Sequence, residues 1–316
     1  MYPLLARRLL QMLLIMLTVS ALLFAIFDTD QFRKKMAVSE LGAFGVATLS
    51  DQDYHAWLDK RGYSKPFLTR YLEWIRDVAH GDLGVSVEKD VPVATLLRES
   101  LANSGVLAFF VFLVMVPVSL TLGVLAGVAE GSARDRTISL ISILTTSIPQ
   151  IATASLLTAI LALGLGWLPT KSAMDDGWSF PQLILPLLTL LIYDIGYFVR
   201  MTRAAVIEVM GSQYIRTAML KGLPYHRVIT RHVLPNALTV PVTLLLQELN
   251  GLLSQVVAVE VFFQYRGFGR TLFDAANFGD IKVIQAATLV AVSVAVLSQL
   301  LSDLAYTILN PRLRLA

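Results

Sequence analysis

Long apolar runs separated by short polar segments dominate the chain. A helix needs about 20 mainly apolar residues, at ~1.5 Å of rise each, to cross the hydrocarbon layer of a bilayer. Six stretches meet that requirement: residues 9–27, 101–127, 138–163, 183–206, 238–261 and 284–309. The pattern predicts an all-α integral membrane protein, with residues 1–316 forming a single transmembrane domain of six helices. An extended polar segment, 28–99, follows the first span, and a basic loop, 207–237, lies between the fourth and the fifth. The first run starts after Arg7 and Arg8 and closes on Phe27-Asp28-Thr29-Asp30. No small-x-small cleavage site ends it, so it reads as a retained span and not as a secretory signal.

Composition agrees with a bilayer. Hydrophobic residues make up 55% of the chain and charged residues 16%, where soluble domains carry about 25% charged. A net charge of +3 is too small to suggest nucleic acid as a partner. The placement of the charge is more informative than its sum. With the N-terminus inside, the inner segments hold Arg7, Arg8, Arg134, Arg136, Arg200, Arg203, Arg216, Lys221, Arg227, Arg231, Arg312 and Arg314, against the acids Glu130, Asp135 and Glu208. Basic residues concentrate in the short cytoplasmic loops of membrane proteins, while long loops cross regardless of charge. Both termini are therefore expected in the cytoplasm and segment 28–99 outside. The chain has no cysteine, which removes disulfides, thiolate metal sites and cysteine nucleophiles.

Segment 28–99 carries Trp57, Tyr63, Phe67, Tyr71 and Trp74, and Leu68, Tyr71, Leu72 and Ile75 recur at helical spacing. Gly81-Asp82-Leu83-Gly84 is a turn signal. Short helices packed at the outer mouth are expected, with His55 and His80 as isolated surface or packing residues. No phosphate-binding G-x-x-x-x-G-K-[ST] loop occurs anywhere in the chain. Metal-ligand spacings and a nucleophile with a supported base are also absent from the sequence.

The basic loop is the most informative stretch. Tyr214 through Asn236 reads as two short helices joined by a sharp turn. Ile215, Ala218 and Met219 give the first an apolar face. Lys221 suits its negative C-terminal end, and Gly222 can take the positive φ that stops a helix. Pro224 sits where a first-turn proline is tolerated. Val228, Ile229, His232 and Val233 mark one face of the second helix, and Pro235 is expected to turn the chain back into the membrane. By spacing alone, such a hairpin either offers side chains to a soluble partner or merely sets the topology.

The order of motifs resembles the dipeptide/oligopeptide branch of binding-protein-dependent, ATP-driven importer permeases over nearly the whole chain. Arg216-Thr217-Ala218-x-x-Lys221-Gly222-Leu223 and Arg231-His232-x-Leu234-x-Asn236-Ala237-Leu238 resemble the coupling (EAA) loop of those permeases. Gly81-Asp82-Leu83-Gly84-Val85-Ser86 is similar to their outer-loop signature. Leu185-Pro186-Leu187-Leu188-Thr189-Leu190 and Arg200-Met201-Thr202-Arg203 resemble their fourth span and its exit. The stretches from Val259 to Gly269, from Ser302 to Tyr306, and Asn310-Pro311-Arg312 are similar to their C-terminal part. The chain departs from the pattern at Asp28-Thr29-Asp30, at Pro149-Gln150-Ile151 and at Asn310.

The resemblance implies a multi-pass subunit of the bacterial inner membrane. It implies a homologous second permease, two cytoplasmic ATPase subunits and a periplasmic or lipid-anchored substrate-binding protein as partners, besides membrane lipid. ATP and Mg²⁺ would act only through the ATPase partners, with no cofactor on this chain. It assigns ATPase coupling to Tyr214, Arg216, Thr217, Ala218, Lys221, Gly222, Leu223, Pro224, Arg227 and His232. The solute it implies is a peptide or a related small molecule.

Intramembrane carboxylates are costly and mark function by default. Asp194 lies near the middle of the fourth span between Tyr193 and Tyr197. It either faces the translocation path, where it would meet an amine-bearing solute, or forms a structural pair with Arg200. Glu248, beside Gln247 and Asn250 in the fifth span, suits hydrogen bonding between helices or path lining. Glu260 and Asp303 read as structural anchors, and Gly123, Pro117, Pro149 and Pro186 as sites of close packing or kinks. An ion- or proton-coupled secondary carrier using Asp194 and Glu248 as a relay is the competing reading. A polytopic enzyme would need a paired-acid, histidine or metal constellation that the sequence lacks.

Overall fold

The computed structural model describes residues 2–48, 50–174 and 177–309. Helices make up its regular structure: α1 Tyr2–Phe27, α2 Asp30–Thr48, α3 Asp51–Lys60, α4 Phe67–Ala79, α5 Val93–Gly127, α6 Ala133–Ser147, α7 Gln150–Leu157, α8 Phe180–Met210, α9 Gln213–Leu220, α10 Tyr225–Val228, α11 Leu234–Ala237, α12 Thr239–Phe263, α13 Phe268–Phe278 and α14 Ile281–Leu309. Two stretches of π-helix, Thr158–Gly164 and Ile229–Val233, continue α7 and α10. Among the described residues no sheet forms, and a single bridge joins Val85 to Pro92. Four helices are long and apolar enough to cross a membrane, and six spans result if each of two bent pairs counts as one. The side chains of Arg7, Arg8 and Asp303, and the stretch Asn310-Pro311-Arg312 with Arg314, lie outside the described residues.

Backbone contacts divide the chain into two compact units. The first comprises Met1–Asn103 and Gly267–Val296. Residues 30–79 fold into α2, α3 and α4, as the helical spacing predicts. Phe27, Met36, Ala37, Trp57, Leu58 and Ile281 bury together in one cluster, and Val93, Leu97, Phe268, Ala275 and Val283 in another. Gly81 and Gly84 both take positive φ, and the Asp82 carboxylate accepts the Gly84 N–H at 2.9 Å, closing the expected turn. The loop that follows is tied down by Asp280, which lies between α13 and α14. Its buried carboxylate accepts the Ser86 hydroxyl at 2.6 Å and the Val87 N–H at 2.8 Å. Asp28, just past α1, pairs with Arg70 of α4 and with Arg33 of α2. Burial opposes its charge, yet the two guanidiniums hold its carboxyl below the usual carboxylate range.

The second unit comprises Ser104–Arg266 and Leu297–Ala316, with α8 at its centre. Most of the apolar window of α8 is buried. Leu107, Met115, Leu183, Leu190, Phe198, Phe263 and Tyr265 form its core. Glycines let helices approach α8 closely. A Cβ on Gly123 of α5 would lie 2.4 Å from Thr202 Cβ, and one on Gly196 of α8 would lie 2.8 Å from the Ser142 carbonyl of α6. Among small-residue interfaces of membrane helices this is the common arrangement.

One span departs from the expectation. Residues 138–163 do not form a continuous helix: α6 and the α7 segment meet at a bend of 98°. Pro149 offers no N–H, and a residue before proline is pushed to extended backbone. Ile148 accordingly sits at φ −93°, ψ 126°, so the helix stops and restarts at Gln150.

Candidate coupling loop and intramembrane polar sites

Helix α9 starts after Ser212 and ends at Lys221, whose N–H bonds to the Thr217 carbonyl at 3.1 Å. Gly222 then takes φ +73°, and nothing stands within 4 Å of where its Cβ would be. Backbone conformation alone demands glycine there. Pro224 caps α10, its carbonyl accepting the Arg227 and Val228 N–H groups at 2.8 and 3.1 Å. The expected helix–turn–helix therefore forms, with a π segment lengthening its second arm.

The hairpin is anchored on one side and open on the other. Ile215, Ala218, Val228, Val233 and Ala237 bury against Val206 of α8, with Val124, Val128 and Leu223 packed around them. Tyr214, Arg216, Thr217, Lys221, Pro224 and Arg227 remain exposed, and His232 is half-buried. Leu220, at 82%, is the most exposed of the hairpin's large apolar side chains. Two expectations need correction. Met219 does not join the buried face but is exposed, because Leu223, folding back after the turn, covers the cluster in its place. Pro235 does not turn the chain. It falls at the second residue of α11, directly behind the π stretch Ile229–Val233, in a path that stays helical from Tyr225 to Ala237. The bend, 43°, comes between Ala237 and Thr239.

Under the hairpin lies a group of contacts that spacing did not reveal. Arg203, near the end of α8, forks onto Asp135 in the first turn of α6, with Nε–Oδ1 at 2.5 Å and Nη2–Oδ2 at 2.8 Å. Asp135 is buried, and it also accepts the Gly131 N–H at 2.9 Å and the Ser139 hydroxyl at 3.2 Å. The Tyr225 hydroxyl donates to the Val128 carbonyl at 3.1 Å. The turn joining α5 to α6 is thus held by the loop at Tyr225 and by α8 at Arg203.

Deeper in the same unit a polar row crosses the helices. Gln150 of α7 donates to Gln255 of α12 at 2.9 Å, and Gln255 donates to Glu248 at 2.9 Å. Asp194 of α8 is buried, and its Oδ2 has no hydrogen-bond partner among the described residues. No ion pair between Asp194 and Arg200 occurs among the described residues. Tyr197 is half-buried and packs edge-on against Phe198 at 5.1 Å. Glu260 accepts the Ser104 hydroxyl at 2.5 Å, within the helix core.

A family described as binding-protein-dependent transport system inner membrane component matches residues 119–315, a span that holds the hairpin, the Asp135–Arg203 pair and the polar row. This chain belongs to that family. It is a multi-pass inner-membrane component of a binding-protein-dependent transport system. The oligopeptide transport system permease protein AppB of Bacillus subtilis is 30% identical over 272 residues, covering 84% of this chain and 86% of AppB. A probable peptide ABC transporter permease of Sinorhizobium fredii, y4tP, is 32% identical over 260 residues, covering 81% and 83%. The dipeptide transport system permease protein DppB of Escherichia coli is 30% identical over 297 residues, covering 85% and 88%.

Within this permease, Asp135, Tyr225 and Asp280 are the residues that motif reading passed over. For Asp135 a signal existed: it is the lone acid between Arg134 and Arg136, three residues after the serine that caps its N–H. Asp280 follows a positive-φ glycine and resembles an ordinary loop acid.

Proposed function

We propose that this permease carries peptides or a related small solute, one half of a pair with a homologous permease, driven by two ATPase subunits that dock on the hairpin around Gly222. The observation that carries the reading is the hairpin itself. It is fixed to α8 and α5 by a buried apolar base while Tyr214, Arg216, Thr217, Leu220, Lys221 and Arg227 stand clear of the fold. A rigid, solvent-facing element of that kind passes an external force into the helices behind it. The peptide relatives support the solute class, and the charge pattern supports a cytoplasmic hairpin and cytoplasmic termini. Segment 28–99 then faces the substrate-binding protein. ATP and Mg²⁺ bind the partners, and their closure rocks the two permeases between inward-open and outward-open states.

Leu220→Asp tests the docking. Because the side chain points away from the fold, the thermal midpoint of the purified permease should not move, whereas ATPase recovered with it should fall at least roughly tenfold, the worth of about 1.4 kcal/mol. Undiminished ATPase recovery from both Leu220→Asp and Arg216→Ala rules the hairpin out as the docking element. Uptake that stops when the proton gradient alone is collapsed favours the secondary carrier.

In the same reading Asp194, Tyr197 and Glu248 line the solute path when α8 and α12 separate. A buried carboxylate with one oxygen left unbonded is expensive in this medium, and the ammonium group of a solute would satisfy it. Asp194→Asn should lower uptake of amine-bearing solutes roughly tenfold, again about 1.4 kcal/mol, while sparing uncharged ones. Equal kinetics for both classes would remove Asp194 from the path.

A further inference from the structure

Helix α4 carries two adjoining apolar stripes, and the protein uses one of them. Phe67, Tyr71 and Trp74 all meet the ring of Phe24 in α1, at 5.5, 5.6 and 5.7 Å between centroids. Three side chains spread over two turns converge on one ring, so α4 crosses α1 at Phe24 and does not run along it. The Tyr71 hydroxyl reaches further down, to Ser20 Oγ at 2.8 Å and the Leu17 carbonyl at 3.2 Å. Arg70, on the opposite flank, pairs with Asp28 at the end of α1. At ~100° per residue, Leu68, Leu72, Ile75 and Ala79 form a second stripe beside the first. Leu68 and Leu72 are 63% and 56% exposed. Thr69, Glu73, Arg76 and Asp77 make the remaining, polar side.

We infer that α4 is an interfacial helix seated in the outer edge of the bilayer, with Leu68, Leu72 and Ile75 in contact with lipid acyl chains. The inference rests on α1 being a membrane span. Three observations select lipid as the occupant. The crossing point, Phe24, lies within the last turn of the apolar window of α1, where the hydrocarbon meets the headgroups. Leu22 and Ile26, on the face of α1 turned away from Phe24, are themselves exposed apolar side chains, so the span against which α4 packs is open to lipid at the same level. The stripe offers no hydrogen-bonding group, while Tyr71 and Trp74 on one side and Arg76 on the other are the aromatic and basic types that suit the headgroup level.

The absence of cysteine makes the test direct. Single nitroxide labels would be placed on Leu68→Cys, Leu72→Cys, Glu73→Cys and Arg76→Cys of the full chain in phosphatidylethanolamine–phosphatidylglycerol vesicles, with Leu22→Cys as the span control. Collision with oxygen should exceed collision with a water-soluble nickel chelate several-fold at 68 and 72, and the ratio should invert at 73 and 76. A chelate that reaches 68 and 72 as readily as 73 and 76 would place α4 in water and overturn the inference. Shielding of 68 and 72 from both reagents would overturn it too, by showing a protein on the stripe. Chelate access at Leu22→Cys would instead sink the premise that α1 spans, a failure distinct from either.

Discussion

Gly196→Ala should cripple the fold of the α8-centred unit. An added methyl would lie 2.2 Å from Thr145 Oγ1 and 2.8 Å from the Ser142 carbonyl. A threonine hydroxyl can rotate away, but a carbonyl fixed in the α6 ladder cannot, so α6 and α8 must part. Overpacking of a close-packed site costs typically about 1–3 kcal/mol, and the displaced helix is the one that holds Asp135. The expected result is a drop of several degrees in the thermal midpoint of the detergent-purified chain, together with poor recovery. Adding Thr145→Ala to Gly196→Ala should restore little, since the carbonyl remains. Gly105→Ala is the control with the opposite sign. It also sits in a helix, but nothing lies within 4 Å of its Cβ position. Removing a helical glycine there should stabilise by roughly 0.5–1 kcal/mol. A loss at Gly105 equal to that at Gly196 would mean that close helix approach is not what Gly196 provides.

Which of these features could be seen in the sequence depends on the range over which each is encoded. A membrane span is local: some twenty apolar residues announce it, and the six runs correspond to helices or to broken pairs of helices. Gly222 was visible for the same reason, because a positive-φ stop needs only its own flanks. So was the Gly81–Gly84 turn. The 98° break in the third span was half visible, as a proline read as a kink, because hydropathy carries no information on direction. Pairings were not visible. Asp135 and Arg203 are 68 positions apart, and Ser86 and Asp280 are 194 apart. Each residue was in view as a lone charge or as part of a motif, yet nothing in period or spacing says which distant group completes it. Met219 was misplaced for a related reason. At i and i+4 it shares a face with Ile215, but an eight-residue helix buries only what its support reaches, and Leu223 arrives there first.

The Asp135–Arg203 fork is the pairing with the most to lose. Asp135 is nearly inaccessible, and Arg203 is the only side chain among the described contacts that neutralises it. Removing one partner of a buried pair strands the other charge, at a cost of about 3–5 kcal/mol, whereas removing both is often close to neutral. Arg203→Met should therefore be among the most damaging single substitutions in the chain. Asp135→Asn should be milder, because its amide oxygen can still accept the Gly131 N–H in place of Oδ2 while its amide nitrogen donates to the Ser139 hydroxyl in place of Oδ1. The double variant should recover stability relative to Arg203→Met alone, and the thermal midpoints of the three in detergent measure that coupling. Additive losses would mean that the two charges do not depend on each other. Stability is only half of the expected result. Tyr225 and Arg203 hold the α5–α6 turn from two sides, so on the proposed docking of an ATPase at the hairpin, a displaced hairpin would pull on α6 through this fork. The double variant, refolded but lacking the fork, should bind its ATPase normally and still spend more ATP per molecule of solute in vesicles, because the force that reaches the hairpin no longer reaches α6 in full.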